Sequence, residues 1–229
     1  MPNSNPTTTR VTTRKTRLWY GISAITAAII LGVLTHWDEV VKGDRKVLHE
    51  LIEVRRDSIT TFMETATSFF DPLHATLLAF IVGLVIGWWT RSWREGIYIW
   101  YATAAAAALS TLFKWFFQRN RPPTIYRLVT ELNFSFPSGH TTATAALACA
   151  TAFVLVRHVT SSRGRQIVWA LAVALILLIA LTRLYLGVHW FTDTLAGGLI
   201  GSGVAYLLTN TLPKPPRYPR NQRPPRNLA

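Results

Sequence analysis

Apolar residues do not alternate along this chain; they run. Six runs, at 18–37, 72–90, 96–117, 141–158, 166–186 and 191–211, approach the ~20 residues that a helix needs to cross the hydrocarbon of a bilayer. Short polar stretches separate most of them. The exception is 38–71, where the pattern changes period. Val47, Leu48, Leu51 and Val54 form one stripe at helical spacing, and Phe62, Met63, Ala66, Phe69 and Phe70 form another. That spacing predicts amphipathic helices in this first outer loop, lying at the interface or walling an entrance. The expected fold is therefore all-α: a polytopic membrane protein with six transmembrane helices. The first run is too long for a cleavable signal, and no small-residue cleavage site follows it.

Composition sharpens this picture. Half of the 229 residues are hydrophobic and 15% are charged, against about 25% charged in soluble domains. Nine tryptophans fall mostly near run ends, as an aromatic belt does. The single cysteine, Cys149, lies inside an apolar run and reads as a small packing residue.

The net charge of +13 would suit nucleic acid, but its distribution points to lipid. Arg10, Arg14, Lys15, Arg17, Arg91, Arg94, Arg157, Arg163, Arg165 and the five basic residues after 213 fall on one side, with Glu95 as the sole acidic residue there. The other side balances ten basic residues against ten acidic ones. The positive-inside rule makes the first side cytoplasmic, with both termini inside. Residues 1–17 and 213–229 read as disordered basic tails directed at anionic head groups, and 18–212 as the six-span domain.

Three polar clusters emerge on the outer side, at the ends of consecutive runs. "KWFFQRNRP" carries Lys114 and Arg121; "FSFPSGHTT" carries Ser138, Gly139 and His140; "TRLYLGVHWFTD" carries Thr182, Arg183, His189 and Asp193. Each alone is ordinary, since basic residues snorkel at span ends and Pro-Ser-Gly is turn chemistry. Together they suit phosphoryl transfer. Lys114, Arg121 and Arg183 supply cations for phosphoryl oxygens. Ser138, Gly139 and His140 place backbone N–H groups at a helix start, where an anion is favoured. His189 and Asp193 share a helix face, so the carboxylate can fix the imidazole tautomer of a nucleophilic His189. His140 is left to protonate the leaving oxygen. Arg119 is an additional head-group contact or a solvated side chain.

These clusters resemble the three signature motifs of the type 2 phosphatidic acid phosphatase family, whose membrane branch contains lipid phosphate phosphatases and polyprenyl diphosphatases. The first is lysine, six residues, Arg-Pro (Lys114, Arg121, Pro122); the second is Pro-Ser-Gly-His (Pro137 to His140). The third is Ser-Arg, five residues, His, three residues, Asp, met by Arg183, His189 and Asp193 with Thr182 at the serine position. The resemblance implies a two-step reaction through a phosphohistidine, with no metal or other cofactor.

A metal site on His140, His189 and Asp193 is disfavoured by three neighbouring cations. A lipid transporter would want polar residues near the midplane. A lipid phosphotransferase would use the same residues as a phosphatase. The expected partners are the bilayer and a lipid phosphate, not nucleic acid. The expected place is a bacterial-type plasma membrane with an extracytoplasmic site. Undecaprenyl diphosphate is the leading substrate, with Arg119 and Arg127 as further cations; phosphatidylglycerol phosphate and phosphatidic acid are the alternatives.

Overall fold

The computed structural model describes residues 6–212, with side chains for 16–71 and 74–212. The elements are helical: α1 (Pro6–Leu34), α2 (Asp38–Glu53), α3 (Asp57–Ser68), α4 (Pro72–Trp89), α5 (Trp93–Phe117), α6 (Gly139–His158), α7 (Ser162–Tyr185) and α8 (Phe191–Leu208), with short 3-10 turns at Thr124–Tyr126 and Thr209–Thr211. Five described helices are long and apolar enough to cross a membrane: Thr16–Leu34, Trp93–Phe117, Gly139–His158, Ser162–Tyr185 and Phe191–Thr211. The run expected at 72–90 forms α4 within one residue of its expected bounds. The apolar stretch of α4, His74–Trp89, is shorter, and the 18 residues of α4 rise only ~27 Å.

The basic stretch expected as a disordered N-terminal tail is helical from Pro6. Residues 7–17 contain neither glycine nor proline, so nothing in the sequence breaks α1 before it reaches the apolar run. The expected C-terminal tail, 213–229, lies outside the described residues. Residues 38–68 form the two amphipathic helices α2 and α3. Leu48 and Met63 are buried, while Val54, Phe62 and Phe69 stay exposed.

Which helix is central follows from side-chain size. Two-thirds of the apolar stretch of α6 is buried, against 22% for those of α1 and α7. The face of α6 is Ala145, Ala146, Ala150 and Val154, all fully covered. Small residues allow close approach, which drives helix association where the surroundings are as apolar as the core. Across from it, α8 offers Gly197 and Gly201. A Cβ on Gly201 would lie 2.3 Å from the Thr142 carbonyl oxygen, and one on Gly197 would lie 2.7 Å from that of Ser138. This crossing brings the start of α6 against the start of α8, and Ser138 N–H donates to the Asp193 carbonyl at 3.0 Å.

At that same end, α2 and α3 are fastened to the bundle. Arg55 donates to the carbonyls of Tyr185 (2.7 Å) and Tyr126 (2.9 Å). Between them Gly187 turns with φ +69°, and a Cβ there would meet the Tyr126 carbonyl oxygen at 2.3 Å. Only glycine takes this conformation in so little space. The turn delivers Val188 and His189 into the bundle. At the opposite end, buried Glu95 meets His158 Nε2 at 2.9 Å and ties the start of α5 to the end of α6.

Candidate active site

Each site residue is placed by an element end. Lys114 stands on the last turn of α5, which stops at Gln118 in the left-handed region (φ 43°). The chain then runs irregularly through Arg119, Arg121, Glu131 and Asn133 to Ser138. Ser138 is the N-cap of α6: its hydroxyl accepts from Thr141 N–H (3.5 Å) and from the Thr141 hydroxyl (3.0 Å). Arg183 is on the last turn of α7, His189 in the connection, and Asp193 in the first turn of α8.

A cavity of about 1020 Å³ opens between α4, α5 and α6. Its head is lined by Lys114, Arg121, Glu131, Asn133, Gly139, His140 and His189. Its body is lined by Ala75, Ala79, Phe80, Trp100, Ala104 and Ala107. A charged head with an apolar body suits an amphiphile whose tail stays beside the helices. A Cβ on Gly139 would meet only Lys114 Cε, at 3.9 Å, so its absence widens the head and does not relieve a clash.

His189 forms the floor and is 2% exposed. Arg121 Nη1 donates to its Nε2 at 3.2 Å, and its Nδ1 faces Asp193 Oδ2 at 3.4 Å. A guanidinium cannot accept, so Nε2 carries the lone pair and Nδ1 the proton. Burial, and then the nearby cations Arg121, Arg183 and Lys114, hold His189 well below the usual histidine range. The ring is thus neutral, with its free electron pair directed at the cations.

Asp193 is fully buried and heavily held. Oδ2 accepts from Trp190 N–H at 2.9 Å and from the Ser135 hydroxyl, and Oδ1 accepts from Arg119 Nη1 at 2.6 Å. Arg119 also donates from Nη2 to Asp44 Oδ2 at 2.7 Å. Asp44 in turn accepts from Thr192 N–H (3.0 Å) and the Thr192 hydroxyl (2.7 Å). A continuous chain therefore runs Asp44–Arg119–Asp193–His189.

Arg121 is buried and saturated. It donates to the carbonyls of Asn133 (2.7 Å) and Val188 (2.8 Å), to the Asn133 side chain, and to Glu131 at 3.4 Å. Burial lowers it to about 10, against the opposing pull of Glu131, so it remains charged at neutral pH. Lys114 Nζ donates to the Phe134 carbonyl. Arg183 lies one layer back, 2% exposed, donating to the Thr67 hydroxyl (3.1 Å) and to Glu131.

Of the residues expected from sequence, Lys114, Arg121, Gly139, His140 and His189 line the cavity, and Arg183, Ser138 and Asp193 back it. Three expectations differ. Thr182 is buried and its hydroxyl is spent on the Ile179 carbonyl at 2.7 Å, one turn back in its own helix. Arg119 reaches neither a head group nor the cavity, because both ends of its guanidinium are taken by carboxylates. Ser138 does not offer its N–H to an anion, since that group donates to the Asp193 carbonyl, and its buried hydroxyl oxygen accepts the cap bonds of α6. Asp44, Thr67, Glu131 and Asn133 join the site from outside the three sequence clusters. Asp44 had a signal: it stands at i, i+4 and i+7 with Leu48 and Leu51, a charge on an apolar stripe.

The family model of the PAP2 superfamily matches residues 95–217, more than half of the chain. The chain belongs to the PAP2 superfamily. The matched stretch contains all three polar clusters, whereas Asp44 and Thr67 precede it. Among relatives, phosphatidylglycerophosphatase B of Bacillus subtilis is 27% identical over 181 residues, covering 79% of this chain and 88% of that protein. An undecaprenyl-diphosphatase of Sulfolobus acidocaldarius is 30% identical over 141 residues, 59% of this chain and 60% of that one. The crystal structure of a transmembrane PAP2-type phosphatidylglycerolphosphate phosphatase from Bacillus subtilis superposes with a TM-score of 0.77 at 26% identity, over 84% of this chain and 95% of that chain. Aquifex aeolicus LpxE shares the fold alone, at a TM-score of 0.53 and 19% identity.

Proposed function

We propose that this PAP2 membrane lipid phosphatase hydrolyses the terminal phosphomonoester of a glycerolipid, through a phosphohistidine on His189, at the extracytoplasmic face. The carrying observation is the tautomer: His189 Nε2 has its lone pair in the charged head of the cavity, and Nδ1–H faces a carboxylate held by three other donors. In the first step Nε2 forms a bond to phosphorus and the phosphorus–oxygen bond to the lipid breaks. His140, converted to an imidazolium by a proton taken up as the anionic substrate enters, gives that proton to the leaving oxygen. In the second step water attacks phosphorus, His140 takes a proton from that water, and the phosphorus–nitrogen bond breaks to release phosphate and neutral His189. Arg121 must turn Nη1 from Nε2 to a phosphoryl oxygen as substrate enters. Lys114, Arg121 and Arg183 supply the fixed charge that a metal would otherwise provide, and the reaction is proposed to need no metal.

The choice of a monoester rests on the cations. The diphosphate expectation counted Arg119 and Arg127 as extras, but Arg119 is bound between two carboxylates and Arg127 donates to the Pro122 carbonyl at 2.6 Å. The relative named phosphatidylglycerophosphatase B also covers most of this chain. Undecaprenyl diphosphate is the second reading, supported by the archaeal relative. The outer placement is supported by the charge asymmetry of the sequence. The test is phosphate release from phosphatidylglycerol phosphate, phosphatidic acid and undecaprenyl diphosphate in one mixed-micelle system, with chelator present and His189→Ala as control. A kcat/KM preference for the diphosphate of about tenfold, ~1.4 kcal/mol in transition-state binding, reverses the order of the two readings. Activity in His189→Ala refutes the mechanism.

A further inference from the structure

Among the described residues, Glu131 is the one acidic side chain that lines the cavity. It lies on the connection between α5 and α6, with its side chain 21% exposed. Oε1 accepts from Arg183 Nη2, and Oε2 is 3.4 Å from Arg121 Nη2. One carboxylate thus spans the two arginines to which phosphoryl binding is assigned. It stands between Arg183, which is not on the cavity wall, and the space in front of His189. Arg121 has a separate donor, Nη1, directed at His189. A phosphoryl group at His189 therefore meets Arg121 Nη1 and Lys114 with Glu131 still in place behind them.

We propose that Glu131 is a specificity residue that favours a phosphomonoester over a more highly charged diphosphate at the head of the cavity. Among the charged side chains that line the cavity, Lys114 and Arg121 are opposed by Glu131, so a phosphoryl ligand meets an anion as well as the cations. A diphosphate brings additional negative charge into the same space, and Glu131 repels each added unit of it. Coulomb repulsion from a fixed group grows with ligand charge, so its removal favours the more highly charged ligand. A group that merely blocked the arginines would behave differently: its removal would strengthen every anion by the same factor. This inference rests on the proposed reading of Lys114 and Arg121 as phosphoryl ligands, with Arg183 adding charge from the layer behind, and deepens it.

The test compares direct binding of two non-hydrolysable probes to the purified full-length protein in neutral detergent, at mildly alkaline pH. Methylphosphonate is a dianion there, and methylenediphosphonate carries at least one further negative charge. Affinities are read by ³¹P NMR titration of wild type, Glu131→Gln and Glu131→Asp. Glu131→Gln is expected to raise the affinity ratio of diphosphonate to phosphonate by about tenfold, as one unit charge removed at partly screened short range would do. Glu131→Asp keeps the charge and is expected to keep the wild-type ratio. An unchanged ratio in Glu131→Gln overturns the proposal, and so does an equal shift in both variants, because the charge is then not the cause. If Glu131→Gln does not fold, a Glu131→Asp ratio differing from wild type by tenfold refutes the charge argument, and an unaltered ratio supports it. The readout needs no turnover. An enzyme that hydrolyses lipid phosphates but shows no ratio shift keeps the functional reading and loses this one; a ratio shift without lipid hydrolysis does the reverse.

Discussion

Arg119 separates two accounts of this site most sharply. As a head-group contact it would be an exposed cation, and its removal would cost about 0–1 kcal/mol of stability. In the structure its guanidinium bridges Asp44 and Asp193, whose side chains are 1% and 0% exposed. Arg119→Ala leaves two buried carboxylates facing each other without their cation, and breaking a buried ion pair in this way costs about 3–5 kcal/mol. Asp193 then keeps only the Trp190 and Ser135 bonds on Oδ2, its hold on His189 Nδ1 loosens, and kcat falls, by about 10²-fold if the orienting contact is worth ~2.7 kcal/mol. KM stays near wild type, because Arg119 does not touch the cavity. The assay pairs reversible unfolding in mixed detergent micelles with steady-state phosphate release. A double-mutant cycle with Asp44→Asn adds the coupling term, expected at about 1.5 kcal/mol or more for a buried pair. A variant destabilised by under about 1 kcal/mol, with raised KM and unchanged kcat, refutes the bridge and restores the head-group contact.

Gly201→Val places a side chain 2.3 Å from the Thr142 carbonyl oxygen; it is expected to destabilise by about 1–3 kcal/mol and to lower kcat, because the crossing it opens sets Ser138 against Asp193. Thr182→Ser keeps the hydroxyl and its bond to the Ile179 carbonyl, so stability changes by less than about 0.5–1 kcal/mol and activity is unaltered; a large loss of activity would place Thr182 in the site after all. The pKa of His189 is depressed, so its neutral form persists as pH falls through the ordinary histidine range near ~6.5. ¹⁵N-histidine NMR, assigned by difference against His189→Asn, is expected to show an Nδ1–H neutral ring there; an imidazolium signal for His189 in that range would contradict the burial argument.

The sequence by itself determined the solvent and the reagents. Long apolar runs have one stable outcome in hydrocarbon, since every backbone group must be bonded within its own segment, and helices came out close to the runs that specified them. The start of α6 was legible because Ser138 caps it locally, whereas the Gly187 turn came to light only with the fold. The motif residues were legible because their spacing places Lys114, His140, Arg183 and Asp193 within a turn of helix ends, facing one end of the bundle. Tertiary structure decided how each charge was used. Arg119 and Arg121 are two residues apart and chemically identical, yet one joins Asp44 to Asp193 and the other faces His189. That difference depends on α2, seventy-five residues away from Arg119 in the chain, and on the irregular stretch from Gln118 to Pro137. Local pattern encodes burial and periodicity; the pairing of buried charges is a property of which helices cross, and the small residues of α6 and α8 set that crossing.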